Sequence, residues 1–204
     1  MEFSNKVVIV TGSGRGIGRG IAQRYASEGA MVVIAEKDTF NRTETERAIN
    51  SSGGTALFIR TDVSDPSQIK KMVRLAVEQA GIIDILINNA GISEWKSSYE
   101  ITVEEWDNIR VNCISLGWIE TGDYGKLRDI DHKQHLSGRV GKPEDIAEAC
   151  IYLTKKSNDF INGANIINYR WKDDKEDDIW TLKFYKAIPA GFICFPVNAS
   201  FAPQ

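Results

Sequence analysis

The sequence predicts an α/β fold built on a parallel sheet, and three observations carry that prediction. Short continuous apolar runs such as Val7 to Val10 and Met31 to Ala35 have the length and character of strands buried on both faces. Each run is followed by a segment with helical spacing of apolar residues. A glycine-rich turn, Thr11-Gly12-Ser13-Gly14-Arg15-Gly16-Ile17-Gly18, stands directly between the first strand and the first helix. Strands and helices alternating at this spacing imply right-handed βαβ units.

The elements follow in order. After the glycine turn, Ile17, Ile21, Ala22 and Tyr25 fall on one helical face, and Gly29 is placed to end the helix. Met31 to Ala35 is the second strand. A polar helix covers about Thr39 to Ser51, closed by Gly53 and Gly54, and Ala56 to Ile59 is the third strand. Ser64-Asp65-Pro66 supplies a cap followed by proline in the first turn. The helix behind it carries Ile69, Met72, Val73 and Ala76 on one stripe, and Ile82 to Ile87 is the fourth strand.

The second half is less regular. Thr102 to Ile109 reads as a short helix start, with Thr102 as cap and Glu105 as its capping-box partner. Val111 to Leu116 reads as a strand, Gly122 to Ser137 as a polar flap, Pro143 to Lys155 as a helix and Ala164 to Ile167 as a last strand. Composition shifts after Asn168: residues 169–204 hold eight of the nineteen aromatics, three of the five prolines and the charged run Lys172 to Asp178. The chain therefore divides into residues 1–168, one α/β unit, and 169–204, an atypical aromatic and charged tail.

Composition narrows the function classes. Across 204 residues, 42% are hydrophobic and 26% charged, which fits a folded globular chain rather than a disordered one. A net charge of -3 gives no general electrostatic reason to bind nucleic acid or an anionic membrane. Cys113, Cys150 and Cys194 form no CxxC and no closed disulfide set, and they fit a reducing compartment. The start of the chain lacks the zones of a signal peptide, and the apolar stretch Ala187 to Val197 is too short to span a bilayer. A cytoplasmic location is expected.

The glycine turn carries the chemistry. Glycines let the backbone turn tightly and let a diphosphate approach with no Cβ in the way. The helix N-terminus behind them offers free N–H groups and the positive end of its dipole. A plain glycine-rich βα turn is the alternative, but here strand, helix and a following acidic residue all fall where a dinucleotide needs them. That residue is Glu36, at the end of the second strand, eighteen positions after Gly18. A carboxylate there accepts from both ribose hydroxyls and repels a 2′-phosphate, which favours NAD over NADP. Arg15 and Lys37 pull the other way, because either can meet a 2′-phosphate or stand as a solvated charge.

These residues resemble the short-chain dehydrogenase/reductase family, whose fold is a Rossmann-type doubly wound parallel sheet. The glycine pattern is similar to its TGxxxGxG, Asp62-Val63 to its adenine-contacting pair, and Asn88-Asn89-Ala90-Gly91 to its NNAG. Cys113 to Thr121 resembles its PGxIxT segment with Leu116 in place of proline, and Gly138 to Ala147 its GRxGxPxDIA segment. The resemblance implies a cofactor site made of Gly12, Ser13, Arg15, Gly16, Ile17, Gly18, Glu36, Asp62, Val63, Asn89, Ala90 and Gly91, with Ile119 and Thr121 at the nicotinamide carboxamide.

The same resemblance exposes a gap. Family members place on the order of 60–70 more residues between the NNAG helix and the PG segment, about two strand–helix units. Those units hold the fifth strand with the catalytic Ser and the helix with the Tyr and Lys of YxxxK. Here Ile92 to Ser115 fills that space, so the sheet is expected to be truncated after its fourth strand and no catalytic residue is assigned. Tyr152 and Lys156 spell YxxxK but lie after the GRxGxP segment, and Tyr124 with Arg128 lies in the flap. Asn112 matches either a catalytic Asn or the Asn of the PG strand, and the junction falls there. Asp129, His132 and His135 have helical metal-ligand spacing without a further strong ligand, so a solvated flap is expected rather than a metal site.

The resemblance implies an NAD(P)-binding oxidoreductase moving hydride between the nicotinamide and a carbonyl or alcohol. Loss of the acid–base residues implies impaired catalysis. The alternatives are a non-enzymatic dinucleotide-binding or interaction protein, and a degraded gene product. The family pairs subunits through its fourth and fifth helices, and without the second of these oligomerisation is expected to be weak or altered.

Overall fold

The computed structural model describes residues 1–90, 110–168 and 195–197. The first half alternates as the sequence predicts: β1 (Val7–Thr11), α1 (Gly16–Ser27), β2 (Met31–Glu36), α2 (Thr39–Ser51), β3 (Thr55–Arg60), α3 (Pro66–Ala80) and β4 (Ile85–Ile87). The second part comprises β5 (Arg110–Leu116), α4 (Asp129–Lys133), α5 (Pro143–Thr154), β6 (Asn165–Asn168) and β7 (Phe195–Val197).

One sheet runs in the order β3-β2-β1-β4-β7-β5-β6. From β1 the strands proceed outward in both directions, to β2 and β3 on one side and to β4 on the other, all parallel. This is a doubly wound, Rossmann-type α/β sheet, and its switch point opens a crevice at the carboxyl ends of β1 and β4. Parallel order stops after β4. The next place is taken by β7, which runs antiparallel to β4 at Ile85 and to β5 along Arg110 to Asn112. Strands β5 and β6 then pair in parallel.

Strand β1 is buried along its whole length because both faces are covered. Val8 and Val10 point to the face carrying α1 and α5, where Ile21, Tyr25, Ile34, Ile87, Ile114, Ile146 and Leu153 pack. Val7 and Ile9 point to the opposite face and meet Val33, Ile59, Met72 and Ala76 beneath α3. Each fully buried Ile or Leu contributes about 1.5–3 kcal/mol. Helices α1 and α5 approach closely because residue 20 is glycine: a β-carbon there would stand 2.9 Å from Pro143 Cβ. The Tyr25 hydroxyl and Thr154 Oγ1, both buried, hydrogen-bond at 2.7 Å.

Strand β4 and the flap differ from the sequence reading, and the cap of α3 stands as read. Strand β4 begins at Ile85 rather than Ile82, because Asp84 bonds the Val7 N–H (2.9 Å) and the Lys6 ammonium (2.7 Å) and so caps the start of β1. The expected cap Ser64-Asp65-Pro66 resolves to Asp65, whose carboxylate takes the Ser67 N–H at 2.9 Å, while Ser64 bonds Asp62. The expected flap at 122–137 contains a 3₁₀ turn at Tyr124–Lys126 and the helix α4. Asp131 accepts from the Arg128 N–H at 2.8 Å and binds its guanidinium, which fixes the first turn of α4. The helix start expected at Thr102 to Ile109 and, apart from β7, the tail after residue 168 lie outside the described residues.

Replacing Tyr25 by Phe removes the buried hydroxyl while Thr154 keeps its bond to the Cys150 carbonyl. The expected loss is about 1 kcal/mol, a fall in melting temperature of about 2–4 °C. An unchanged thermal melt would show that this contact adds nothing to the α1–α5 junction.

Candidate functional site

The glycine turn sits at the switch-point crevice. Gly12 has φ +64°, donates to the Ala35 carbonyl at 2.8 Å, and lies so close to β4's exit that a β-carbon would stand 2.9 Å from Ala90 Cα. Gly18 is tighter still: a β-carbon there would stand 2.3 Å from the Gly12 carbonyl oxygen and 2.4 Å from Asn89 Nδ2. Asn89 fastens the two loops by donating to the carbonyls of Thr11 (2.9 Å) and Gly12 (3.2 Å). The Thr11 hydroxyl accepts from the N–H groups of Asn89 and Ala90 at 3.1 and 3.0 Å. Ser13 is fully buried and turns inward, donating to the Val10 carbonyl at 2.7 Å.

Helix α1 starts at Gly16, whose φ is +55°. Its first turn has no acidic residue, and Arg15 provides no side-chain cap. The chain thus leaves the leading N–H groups of a twelve-residue helix without an anion, at the dipole's positive end. That arrangement fits a diphosphate. Ile17 packs into the core behind it, and the Arg15 side chain is exposed.

Glu36 ends β2 and reaches back to the turn. Its Oε2 accepts from the Gly14 N–H at 3.0 Å, and Oε1 accepts from the N–H groups of Lys37 and Asp38 at 2.8 and 3.1 Å. Lys37 is drawn elsewhere: its ammonium lies 2.6 Å from Asp62. That ammonium, with the Ser64 hydroxyl, holds the Asp62 carboxyl well below the usual carboxylate range. Val63 beside it is exposed.

The opposite wall comes from the segment after β5. Ile119 pairs with Gly141, and Glu120 N–H donates to the Gly141 carbonyl at 3.0 Å. Thr121 is brought against α1, with its Cγ2 3.3 Å from where a Gly16 β-carbon would stand. The helical segment beyond folds back through Val140: its carbonyl accepts from the Tyr124 hydroxyl at 2.6 Å and its N–H donates to His132 Nδ1 at 3.2 Å. Arg139 grips Asp145 with both Nη atoms of its guanidinium and holds that carboxyl below its ordinary value.

The structure thus brings Gly12, Ser13, Arg15, Gly16, Ile17, Gly18, Glu36, Asn89, Ala90 and Thr121 around one loop, with Asp62 tied to it through Lys37. Gly91 lies outside the described residues. The remaining sequence candidates serve the fold. Asn112 is 1% exposed and its amide is spent on the Ile161 carbonyl and the Ala164 N–H. Tyr152 is exposed on α5, roughly 13 Å along the helix from the Pro143 end that touches α1. His132 is bonded to Val140 and His135 packs toward Trp118, and among the described residues no group of three or more His, Cys, Asp or Glu could hold a metal ion.

Sequence reading missed Arg19 and Thr45. Arg19 donates to the Gly14 carbonyl, and the buried Thr45 hydroxyl reaches the carbonyls of Ser13 (3.0 Å) and Gly14 (3.1 Å). No local signal singles Thr45 out, because α2 also carries Thr39 and Thr43.

Two outcomes follow. Gly18→Ala forces a β-carbon into backbone and is expected to cost about 3 kcal/mol in urea unfolding. Gly53→Ala, at φ +82° with open space around it, carries backbone strain alone, about 1 kcal/mol; equal losses would contradict the close approach. The Arg128 guanidinium holds the Asp131 carboxyl at about 2, against an ordinary 3.8. Its folded value lies below its unfolded one, so this stabilisation is complete above about pH 4 and is lost as the pH falls toward 2. A carboxyl NMR titration should place Asp131 there and return it toward 3.8 in Arg128→Gln.

Comparison with known proteins accords with this geometry. The sequence model of the short chain dehydrogenase family matches residues 6–121, and one described as enoyl-(acyl carrier protein) reductase matches residues 106–168. An "Uncharacterized oxidoreductase" of Thermotoga maritima is 33% identical over 242 aligned positions, spanning 81% of this chain and 94% of the relative. That alignment is longer than the 204-residue chain itself, so the relative contains a long stretch with no counterpart here. Meso-2,3-butanediol dehydrogenase of Serratia marcescens is 26% identical over 81% of the chain and 94% of its own. The structure of L-sorbose reductase from Gluconobacter frateurii, complexed with NADPH and L-sorbose, superposes with a TM-score of 0.69 at 22% identity, over 82% of this chain and 97% of that one. Among the described residues no helix is long and apolar enough to cross a membrane. With a family match across more than half its length, set on a doubly wound sheet with the glycine turn at its switch point, the chain belongs to the short-chain dehydrogenase/reductase family, whose members are NAD(P)-dependent oxidoreductases.

Proposed function

We propose that this chain binds a nicotinamide dinucleotide and lacks the proton-transfer apparatus that would make it an efficient oxidoreductase. The observation that carries the first half is the uncapped first turn of α1, with Thr121 set beside Gly16. In this reading the amides of Arg15, Gly16 and Ile17 receive the diphosphate, with Gly12, Ser13 and Gly18 giving the turn its shape. Glu36 faces the adenosine ribose, Asp62 and Val63 the adenine, and Asn89, Ala90 and Gly91 line the crevice. Ile119 and Thr121 hold the carboxamide. When bound, the dinucleotide supplies or accepts hydride at a carbonyl or alcohol carbon.

NAD is favoured over NADP. A carboxylate stands at the end of β2, and the Lys37 ammonium that would offset it is already neutralised by Asp62. The NADPH in the sorbose reductase shows that this fold also accepts the phosphorylated form, so the choice rests on these side chains.

The proton is the difficulty. Three tyrosines lie among the described residues. Tyr25 is buried against Thr154 at the α1–α5 junction, and Tyr152 faces outward on α5. Tyr124 donates its hydroxyl to Val140, and the nearby Lys142 ammonium sits over its ring, 4.3 Å from the centroid, rather than at its oxygen. In this reading none of the three serves a substrate oxygen beside Thr121. Loss of general acid–base catalysis alone slows turnover by roughly 10²–10⁴, and lost substrate orientation adds to that. The same facts support a dinucleotide-binding protein without turnover. The sparse cysteines suit a cytoplasmic location, and the missing stretch suits weak or altered self-association.

Calorimetric titration tests the reading. The expected result is saturable binding of NADH, at least tenfold weaker binding of NADPH, a narrowed difference in Glu36→Ala, and no turnover at family rates with panels of alcohols and ketones. Absence of NADH binding would overturn the first half, and family-like turnover the second.

A further inference from the structure

We infer that Arg19 and Thr45 are positioning residues of the dinucleotide site, acting through the peptide between Gly14 and Arg15. The inference rests on the dinucleotide reading above and goes beyond it, since neither residue belongs to the glycine turn.

The Gly14 carbonyl is held from three directions. Arg19 Nη2 donates to it at 2.5 Å, Arg19 Nε at 3.1 Å and the Thr45 hydroxyl at 3.1 Å. The hydroxyl is shared with the Ser13 carbonyl at 3.0 Å, and itself accepts from Arg19 Nε at 3.1 Å. Thr45 has no exposed surface. Glu44 Oε2 lies 2.8 Å from Arg19 Nη2 and fixes the guanidinium from outside. The clamp therefore joins α1, α2 and the turn.

Its consequence follows from peptide geometry. In a trans peptide the C=O and the N–H point in opposite directions. Drawing the Gly14 carbonyl toward Arg19 and Thr45 aims the Arg15 N–H away from α2, toward the open side of the turn. The preceding peptide obeys the same rule: the Ser13 carbonyl faces Thr45, and the Gly14 N–H goes to Glu36. Gly14 has no Cβ to resist rotation of either plane. Without the clamp, the Gly14–Arg15 peptide is free to turn its carbonyl, a negative dipole end, toward the diphosphate. The clamp sets the donor edge before the ligand arrives, which lowers the cost of binding.

The test compares ligands with and without the diphosphate. Calorimetry on the full chain measures Kd for NADH and ADP, saturation-transfer NMR measures Kd for adenosine, and a thermal melt follows each variant. Thr45→Val removes the hydroxyl at nearly constant shape, Thr45→Ser restores it, and Arg19→Met removes the guanidinium. In Thr45→Val and Arg19→Met, Kd for NADH and ADP should rise about tenfold each, the scale of one charge-assisted contact. Kd for adenosine should stay within about twofold, and Thr45→Ser should return NADH binding to near the original value. Unchanged NADH binding in both variants, or equal weakening of adenosine, would overturn the inference whatever happens to the melt, because a purely structural role moves stability without separating the ligands. Failure of the unaltered chain to bind NADH or ADP would instead overturn the dinucleotide reading, and the clamp with it.

Discussion

Where a β-carbon of residue 18 would stand, the Gly12 carbonyl and the Asn89 amide already do, at 2.3 and 2.4 Å. This close approach sets the rest of the site. It lets the first turn of α1 descend onto the end of β1, and lets Asn89, at the exit of β4, donate to the carbonyls of Thr11 and Gly12. The ends of β1 and β4 are thereby locked together under a helix N-terminus. Glu36 enters the same knot from β2 by accepting from the Gly14 N–H. The site is thus a junction of three strand ends and two helices, and its precision comes from backbone contacts that side chains at Gly12 or Gly18 would break.

The chain is shorter than the relatives it matches, yet the two walls of this site stay together. The connection runs through the helices rather than the sheet. Helix α1 lies against α5 through Gly20 and Pro143 and through Tyr25 and Thr154, and α5 is anchored to the segment carrying Ile119 by Gly141. Among the described residues, the sheet joins β4 to β5 through the three-residue antiparallel β7. Pro196 in that strand has no N–H to give to the ladder. The two walls therefore rest on contacts that do not depend on sheet pairing between β4 and β5.

Much of this was legible in the sequence, and the limits have physical causes. Buried strands such as Val7 to Val10 announce themselves because both faces must be apolar. Asp65 and Pro66 announce α3 because a helix N-terminus needs an acceptor and tolerates a proline. The glycine turn was readable because only glycine fits its approach distances. The start of β4 was not, because Asp84 is recruited by Val7 and Lys6 from far along the chain. The order in the flap was missed for a related reason: α4 is five residues long and is stabilised by one carboxylate, Asp131, and by the Val140 N–H donating to the His132 ring rather than by any apolar period. Arg19 and Thr45 were invisible as a pair because their meeting depends on how α2 docks on the turn. The placement of Phe195–Val197 within the sheet has no local signature at all.

Amide hydrogen exchange along the glycine turn, measured with and without NADH, reaches the central claim most directly. The N–H groups of Arg15, Gly16 and Ile17 should slow by about tenfold or more when NADH is present, whereas that of Gly14, already bonded to Glu36, should change little. Protection appearing elsewhere while Arg15 to Ile17 exchange as before would contradict the account.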